Sequence, residues 1–226
     1  MEILSYSQLP QGGFAGLKER QFVTDRRVFK QAKNSKTMDG IGNFIYLADA
    51  NFLPHGETGM HGHREVDVIS VMVEGRISHA GSLEHGQGLK AGVSQVQRAG
   101  GEGFQHNEIN PDSSSNQMIQ LWVMPDESGE PAGYKVYESV KGEVTNIYGG
   151  AKDQSNTFNS HTSISVVNTF AAQTIIHDGT VMAYLSKGSG EMNGEKIQAR
   201  TLLRSESGLT FKASEESQLI LIYATQ

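Results

Sequence analysis

Hydrophobic and polar residues along the chain alternate mostly with a period of two, the period of a strand with one buried face. Val66 to Val73 reads VDVISVMV and Gln117 to Met124 reads QMIQLWVM. Both runs are rich in β-branched and aromatic side chains and are bounded by turn residues, which predicts two sheet strands. Phe44 to Ala48, Ile77 to Ala80, Ser163 to Phe170, Val181 to Leu185 and Gln218 to Ala224 predict further strands, separated by glycine, asparagine and serine clusters. No stretch shows a long helical period with caps at both ends, and the short charged patch Gly16 to Gln21 reads as one helical turn or a strand lead-in. The fold class expected is therefore all-β, a sandwich or barrel of antiparallel strands with few short helices, as opposed to βαβ units.

After Met124 the chain turns polar and rich in turn residues, PDESGEPAGYKVYESVKGEVTNIYGGAKDQSNTFNS, until a new apolar series begins near Ser163. This predicts a boundary near residue 140 and domains of 1–140 and 141–226. VMVEGRI at 71–77 and AYLSKGSG at 183–190 each put a glycine after an apolar strand, a hint of duplication.

Composition narrows the chemistry. The 226 residues include no cysteine, eight histidines and 26 glycines. Disulfides, thiolate nucleophiles and iron-sulfur clusters are excluded, and any metal must take nitrogen and oxygen ligands. The net charge of -6 leaves no basic excess for phosphate backbones, so direct nucleic-acid binding is not expected. No apolar run has the length of a membrane span, and the N-terminus does not read as a signal peptide, so a cytoplasmic location away from membranes is expected.

The histidines are at 55, 61, 63, 79, 85, 106, 161 and 177. His61-Gly62-His63 and His106-Asn107-Glu108 each send two metal-competent side chains to one face of a strand. The run of hairpins predicted between them can bring the second pattern beside the first. Three imidazoles and a carboxylate would suit Fe(II), Mn(II), Ni(II) or Zn(II) and leave coordination positions open. His55 and His85 are expected at the surface, His79 on a strand that can line a cavity, and His161 and His177 without partners. The second half carries no H-x-H, so no second site of this kind is expected there. Gly100, Gly101 and Gly103 predict the tight turn that aims His106 inward. Trp122 and the methionines at 60, 72, 118 and 124 read as core, and Gln120 as a core amide or a pocket donor.

The order H-x-H, acidic residue, strand, E-G, strand, glycine-rich turn and G-x-G-x-x-H-x-E resembles the two motifs of cupins. GMHGHREVDVISVMVEGRISHAGSL, QRAGGEGFQHNEINP and QLWVMP together resemble the pirin branch of bicupins, over residues 40 to 137. That resemblance implies two jelly-roll barrels packed face to face, with one divalent metal in the N-terminal barrel only. Its ligands would be His61, His63, His106 and Glu108, and the metal Fe(II), with Mn, Ni, Zn or Cu as alternatives. Ordinary cupins take the carboxylate from the first motif, where Asp67 stands and where Glu65 shares strand parity with the histidines. Pirins take it from the second, so Glu108 is expected as ligand and proton acceptor, and Asp67 as a neighbour that orients an imidazole. The resemblance implies two functions: a dioxygenase of the quercetin 2,3-dioxygenase type, acting on a small aromatic or enol-like substrate, or a non-enzymatic, redox-sensing regulatory protein that binds protein partners. A bicupin that binds a metabolite without turnover is the third reading. QFVTDRRVF at 21–29, Gly62 between the histidines and Asp67 in place of glutamate depart from the commoner pirin pattern and bear on substrate range.

Overall fold

A computed structural model describes residues 1–83 and 87–225. In chain order the strands of the first stretch are β1 (Glu2–Ser5), β2 (Gly12–Phe14), β3 (Leu17–Thr24), β4 (Phe44–Phe52), β5 (His61–His63), β6 (Asp67–Glu74), β7 (Arg76–Gly81), β8 (Gln87–Lys90), β9 (Val93–Arg98), β10 (Phe104–Ile109), β11 (Gln117–Val123) and β12 (Gly133–Glu138). They are followed by β13 (Val144–Gly150), β14 (Ser160–Thr169), β15 (Thr174–His177), β16 (Val181–Lys187), β17 (Ser189–Met192), β18 (Glu195–Gln198), β19 (Thr201–Ser205), β20 (Leu209–Ala213) and β21 (Ser217–Ala224). A four-residue helix, α1 (Arg26–Phe29), is capped by Asp25, whose carboxylate accepts from the Arg27 amide. Among the described residues no helix is long and apolar enough to cross a membrane.

The strands form two units. Leu9–Glu138 is one, and Met1–Gln8 with the chain from Ser139 onward is the other. In the first unit the larger sheet runs β12-β9-β6-β11-β4-β3-β2 and the smaller β5-β10-β7-β8. Leu17, Ala50, Met72, Met118 and Val93 of the larger sheet form one apolar cluster with Ile77 and Leu89 of the smaller, so the two sheets face each other across a shared interior. The second unit repeats this plan ten strands later, with sheets β1-β19-β16-β21-β14-β13 and β15-β20-β17-β18. The hint of duplication therefore has a structural counterpart, down to the positive-φ glycines Gly75 after β6 and Gly188 after β16.

Three expectations need correction. The first eight residues do not belong with residues 9–138: β1 pairs along β19, Ile3 opposite Leu203, and supplies the edge that β12 supplies beside β9 in the other unit. The polar stretch after Met124 contains β12 and β13, while Leu17 to Gln21 of the charged patch belongs to β3, in line with the strand alternative. Edge strands tolerate polar side chains on both faces, so their alternation is faint in the sequence. Asp67 does not orient an imidazole. Its Oδ2 accepts from Arg98 Nε at 3.0 Å in a pair buried on both sides, and the Arg98 guanidinium also pairs with Glu130.

Arg98 is 3 % exposed, and removing one anion leaves much of a buried positive charge uncompensated. Asp67→Ala should therefore cost about 3 kcal/mol or more, read as a lower urea midpoint at unchanged slope, whereas a loss under ~1 kcal/mol is the value of an exposed pair and would contradict this burial.

Candidate metal centre

Strand pairing brings the two histidine motifs together. β10 runs antiparallel to β5 with His106 opposite His61 and Phe104 opposite His63. On its other side β10 faces β7, with Glu108 opposite His79. The turn before β10 needs glycine: Gly103 has φ 78°, and a Cβ there would lie 2.8 Å from the His63 carbonyl oxygen. Gly100, at φ 55°, would place one against the Glu130 backbone.

His106 Nε2 lies 3.0 Å from His61 Nε2 and 3.2 Å from His63 Nε2. The ligand atoms of these three residues all fall within 4.8 Å of one another. Two nitrogens each about 2.1 Å from a metal, at angles between octahedral and tetrahedral, stand about 3.0–3.4 Å apart. The set therefore fits a shared ion. The outer nitrogens agree with this. His61 Nδ1 is 2.9 Å from the Gly59 carbonyl, to which it donates, leaving Nε2 with its lone pair. His106 Nδ1 is 3.1 Å from the Gln97 amide nitrogen, while Gln97 Oε1 is buried without a partner. Half a turn of that amide presents the oxygen to an Nδ1 proton and frees His106 Nε2 in the same way.

The electrostatics favour neutral imidazoles. Burial first, and then the neighbouring His61, push His63 down to about 4. Burial, followed by His61, His63 and His79, pushes His106 down to about 2. Glu108 is held the other way: burial raises its carboxyl to about 7, against the lowering effect of hydrogen bonds from Ser70 and Gln95. Its Oε1 accepts from Ser70 Oγ at 2.8 Å and Gln95 Nε2 at 3.0 Å, and Gln95 Oε1 accepts from the Tyr134 hydroxyl. Glu108 lines the same cavity as the three histidines but is outside their 4.8 Å cluster.

That cavity has an interior of about 50 Å³, walled by Phe14, Leu17, Tyr46 and Trp122 and reached by Glu19 and Gln120. Trp122 is thus a cavity wall, stacked on Tyr46 at 4.4 Å and edge-on to His63 at 5.6 Å. Gln120 is a pocket residue. Glu65 leaves the histidine face altogether: β5 ends at His63, the backbone reverses at Glu65 (φ 52°), and its carboxylate accepts from the Gly129 amide. His79 is fully buried behind His106, between that ring and Tyr134, and is not among the residues lining the cavity. His55 and His161 are exposed, His177 packs on Tyr223 at 4.4 Å instead of standing alone, and His85 lies outside the described residues. Met72 and Met118 are core, but Met60 is exposed.

Sequence reasoning missed Ser70, Gln95, Gln97 and Glu19. The glutamines two apart in VSQVQR share one strand face, but alternation assigns a polar face to water, so the run carries no local sign that they point inward.

In the metal-free protein the shifts give a net sign. The unfolded chain binds protons near pH 6.5 that folded His63 and His106 refuse until about 4 and 2, so stability falls with pH below 6.5. Glu108 opposes this, since its folded carboxyl keeps a proton between 7 and 4.5 that the unfolded one releases. Two histidines outweigh one carboxyl, and stability should drop by on the order of 1 kcal/mol per pH unit between pH 6 and pH 5. Urea titrations of chelator-treated protein at several pH values check this, and a flat profile would refute it.

Comparison with known proteins finds relatives in sequence and in fold. Residues 23–123 match the pirin family model. A Pseudomonas aeruginosa protein provisionally named a quercetin 2,3-dioxygenase is 29% identical over 174 residues, covering 72% of this chain and 75% of its own. The quercetin 2,3-dioxygenase of Escherichia coli K12 is 24% identical over 172 residues, covering 72% and 74%. In fold, the chain is similar to the E. coli bacterial pirin YhhW in complex with nickel(II), with TM-score 0.83 and 19% identity over 100% of this chain and 99% of that one. The stretch that matches the pirin family model, residues 23–123, contains all three clustered histidines.

Proposed function

We propose that His61, His63, His106 and Glu108 hold one divalent transition metal, iron(II) first among those that suit the set, and that the protein is an oxygenase acting on an enolic ring substrate of the flavonol kind. The observation that carries this reading is the convergence of three imidazole Nε2 atoms, 3.0 and 3.2 Å apart, at a cavity with aromatic walls. When bound there, such a metal supplies Lewis acidity that favours the anionic form of an enol and leaves positions open for a second reactant.

The chain's own residues do the rest. Ser70 and Gln95 hold Oε1 of Glu108, which leaves Oε2 for the cavity. That oxygen is placed to accept an enol proton. Leu17, Tyr46 and Trp122 exclude water from that transfer. Phe14, half-exposed on the edge strand β2, is the most exposed of the apolar walls. An interior of about 50 Å³ is well below the ~300 Å³ at the lower end of ligand pockets, so a single-ring enolone fits with less rearrangement than a flavonol. Proteins named quercetin 2,3-dioxygenase among the relatives support the substrate class.

The test is anaerobic loading with iron, manganese, nickel, zinc or copper, metal analysis, and then aerobic incubation with quercetin, following loss of the flavonol band and release of carbon monoxide. His61→Ala should lose bound metal and all turnover. Glu108→Gln should lower turnover by roughly 10²–10⁴-fold and weaken metal retention, while Asp67→Ala, if folded, retains metal. Stoichiometric metal without turnover in any loaded form would sink the oxygenase and leave the regulatory reading.

A further inference from the structure

The cavity contains a second carboxylate, on the sheet opposite the histidines. Glu19 projects from β3, where it lies opposite Ala50 of β4. Ala50 in turn faces Met118 of β11, so Glu19 shares the interior face with Tyr46, Gln120 and Trp122. It is 7 % exposed. Oε1 accepts from Gln21 Nε2 at 2.9 Å and Oε2 from the Tyr46 hydroxyl at 3.1 Å. Both donors are neutral. Among the described residues no lysine or arginine forms a salt bridge with Glu19. An ionised carboxylate has about four acceptor sites, so two neutral donors leave it able to take more.

The scaffold itself does not need this acid. The second unit has the same sheet with the same bulge: Gln117 opposite Glu74 and Met118 opposite Met72 correspond to Gln218 opposite Lys187 and Leu219 opposite Leu185. Counted outward from that shared point, the place of Glu19 is taken by Val144 and that of Tyr46 by Ser163. A carboxylate that costs desolvation, has only neutral partners, faces a cavity and is dispensable to the fold is placed to meet a ligand.

We propose that Glu19 accepts a hydrogen bond from a hydroxyl group of the substrate, and so selects small enolones that carry a second, non-chelating hydroxyl remote from the chelating edge. The other end of this ligand rests on the metal reading given above. Tyr46 positions Glu19, and its hydroxyl keeps its proton for that purpose, since burial and the Glu19 charge push its pKa up.

Trp122 is the only tryptophan in the chain and lines the cavity, so its fluorescence reports occupancy. The probes are kojic acid and allomaltol, two hydroxypyranones with the same chelating edge that differ in one distal hydroxyl. Zinc-loaded wild-type protein should bind kojic acid about tenfold or more tightly than allomaltol. Glu19→Leu should abolish the difference, and Glu19→Gln should narrow it, as should Tyr46→Phe, which keeps the carboxylate but removes the bond that positions it. Melting curves identify any variant that does not fold, and Glu19→Gln then decides. If both probes bind the zinc protein equally, Glu19 has no such role and the metal reading stands. If zinc strengthens neither probe while kojic acid still binds better in a Glu19-dependent way, the metal reading falls and the Glu19 assignment survives.

Discussion

Every polar atom inside a sheet sandwich has to find a partner, because an unpaired one costs about 1–3 kcal/mol. In the Leu9–Glu138 unit that requirement determines where the chemistry can sit. Ser70, Gln95 and Tyr134 form a chain of donors and acceptors that ends on one oxygen of Glu108. Gln97 does the same for the rear nitrogen of His106. These bonds lock rotamers on the smaller sheet from residues on the larger one, so the two sheets cannot slide without unpairing several buried groups at once. The convergence of imidazoles is a product of that constraint as much as of the β5–β10 register.

The second unit shows what the same plan becomes when the requirement is removed. At the places of Ser70, Gln95 and Gln120 stand Ala183, Leu203 and Leu221. At those of His106 and Glu108, counted from the shared glycine after β6 and β16, stand Leu209 and Phe211. All five belong to one buried apolar cluster. The architecture is thus built by apolar burial alone in one unit, and in the other part of that apolar interior has been given over to hydrogen-bonded groups. Polar residues there are not what makes the fold; Ser70, Gln95, Glu108 and Tyr134 are tolerated because they hydrogen-bond to one another.

How much of this was legible in the sequence follows from the same contrast. Strands with apolar interiors, such as β6, β11, β16 and β21, could be read from alternation, and the H-x-H and H-x-E spacings exposed the histidine face through strand parity alone. The inward amides of β9 could not, because alternation assigns polar residues to water. Glu19 was hidden for a related reason, inside a charged LKERQ run that reads as surface until Leu17, Glu19 and Gln21 are seen to share one face. Glu65 shows the limit of parity, since one positive-φ residue ends the strand and turns its side chain away. Pairing between β1 and β19 leaves no local trace at all, because nothing near residue 3 indicates a partner near residue 203.

That last pairing also orders events in time. β1 is translated before the whole histidine-bearing unit and its partner β19 after it, so β1 stays unpaired while that unit emerges. An alteration in β1, although close in sequence to the cavity wall at Phe14 and Leu17, acts first on the six-stranded sheet of the other unit.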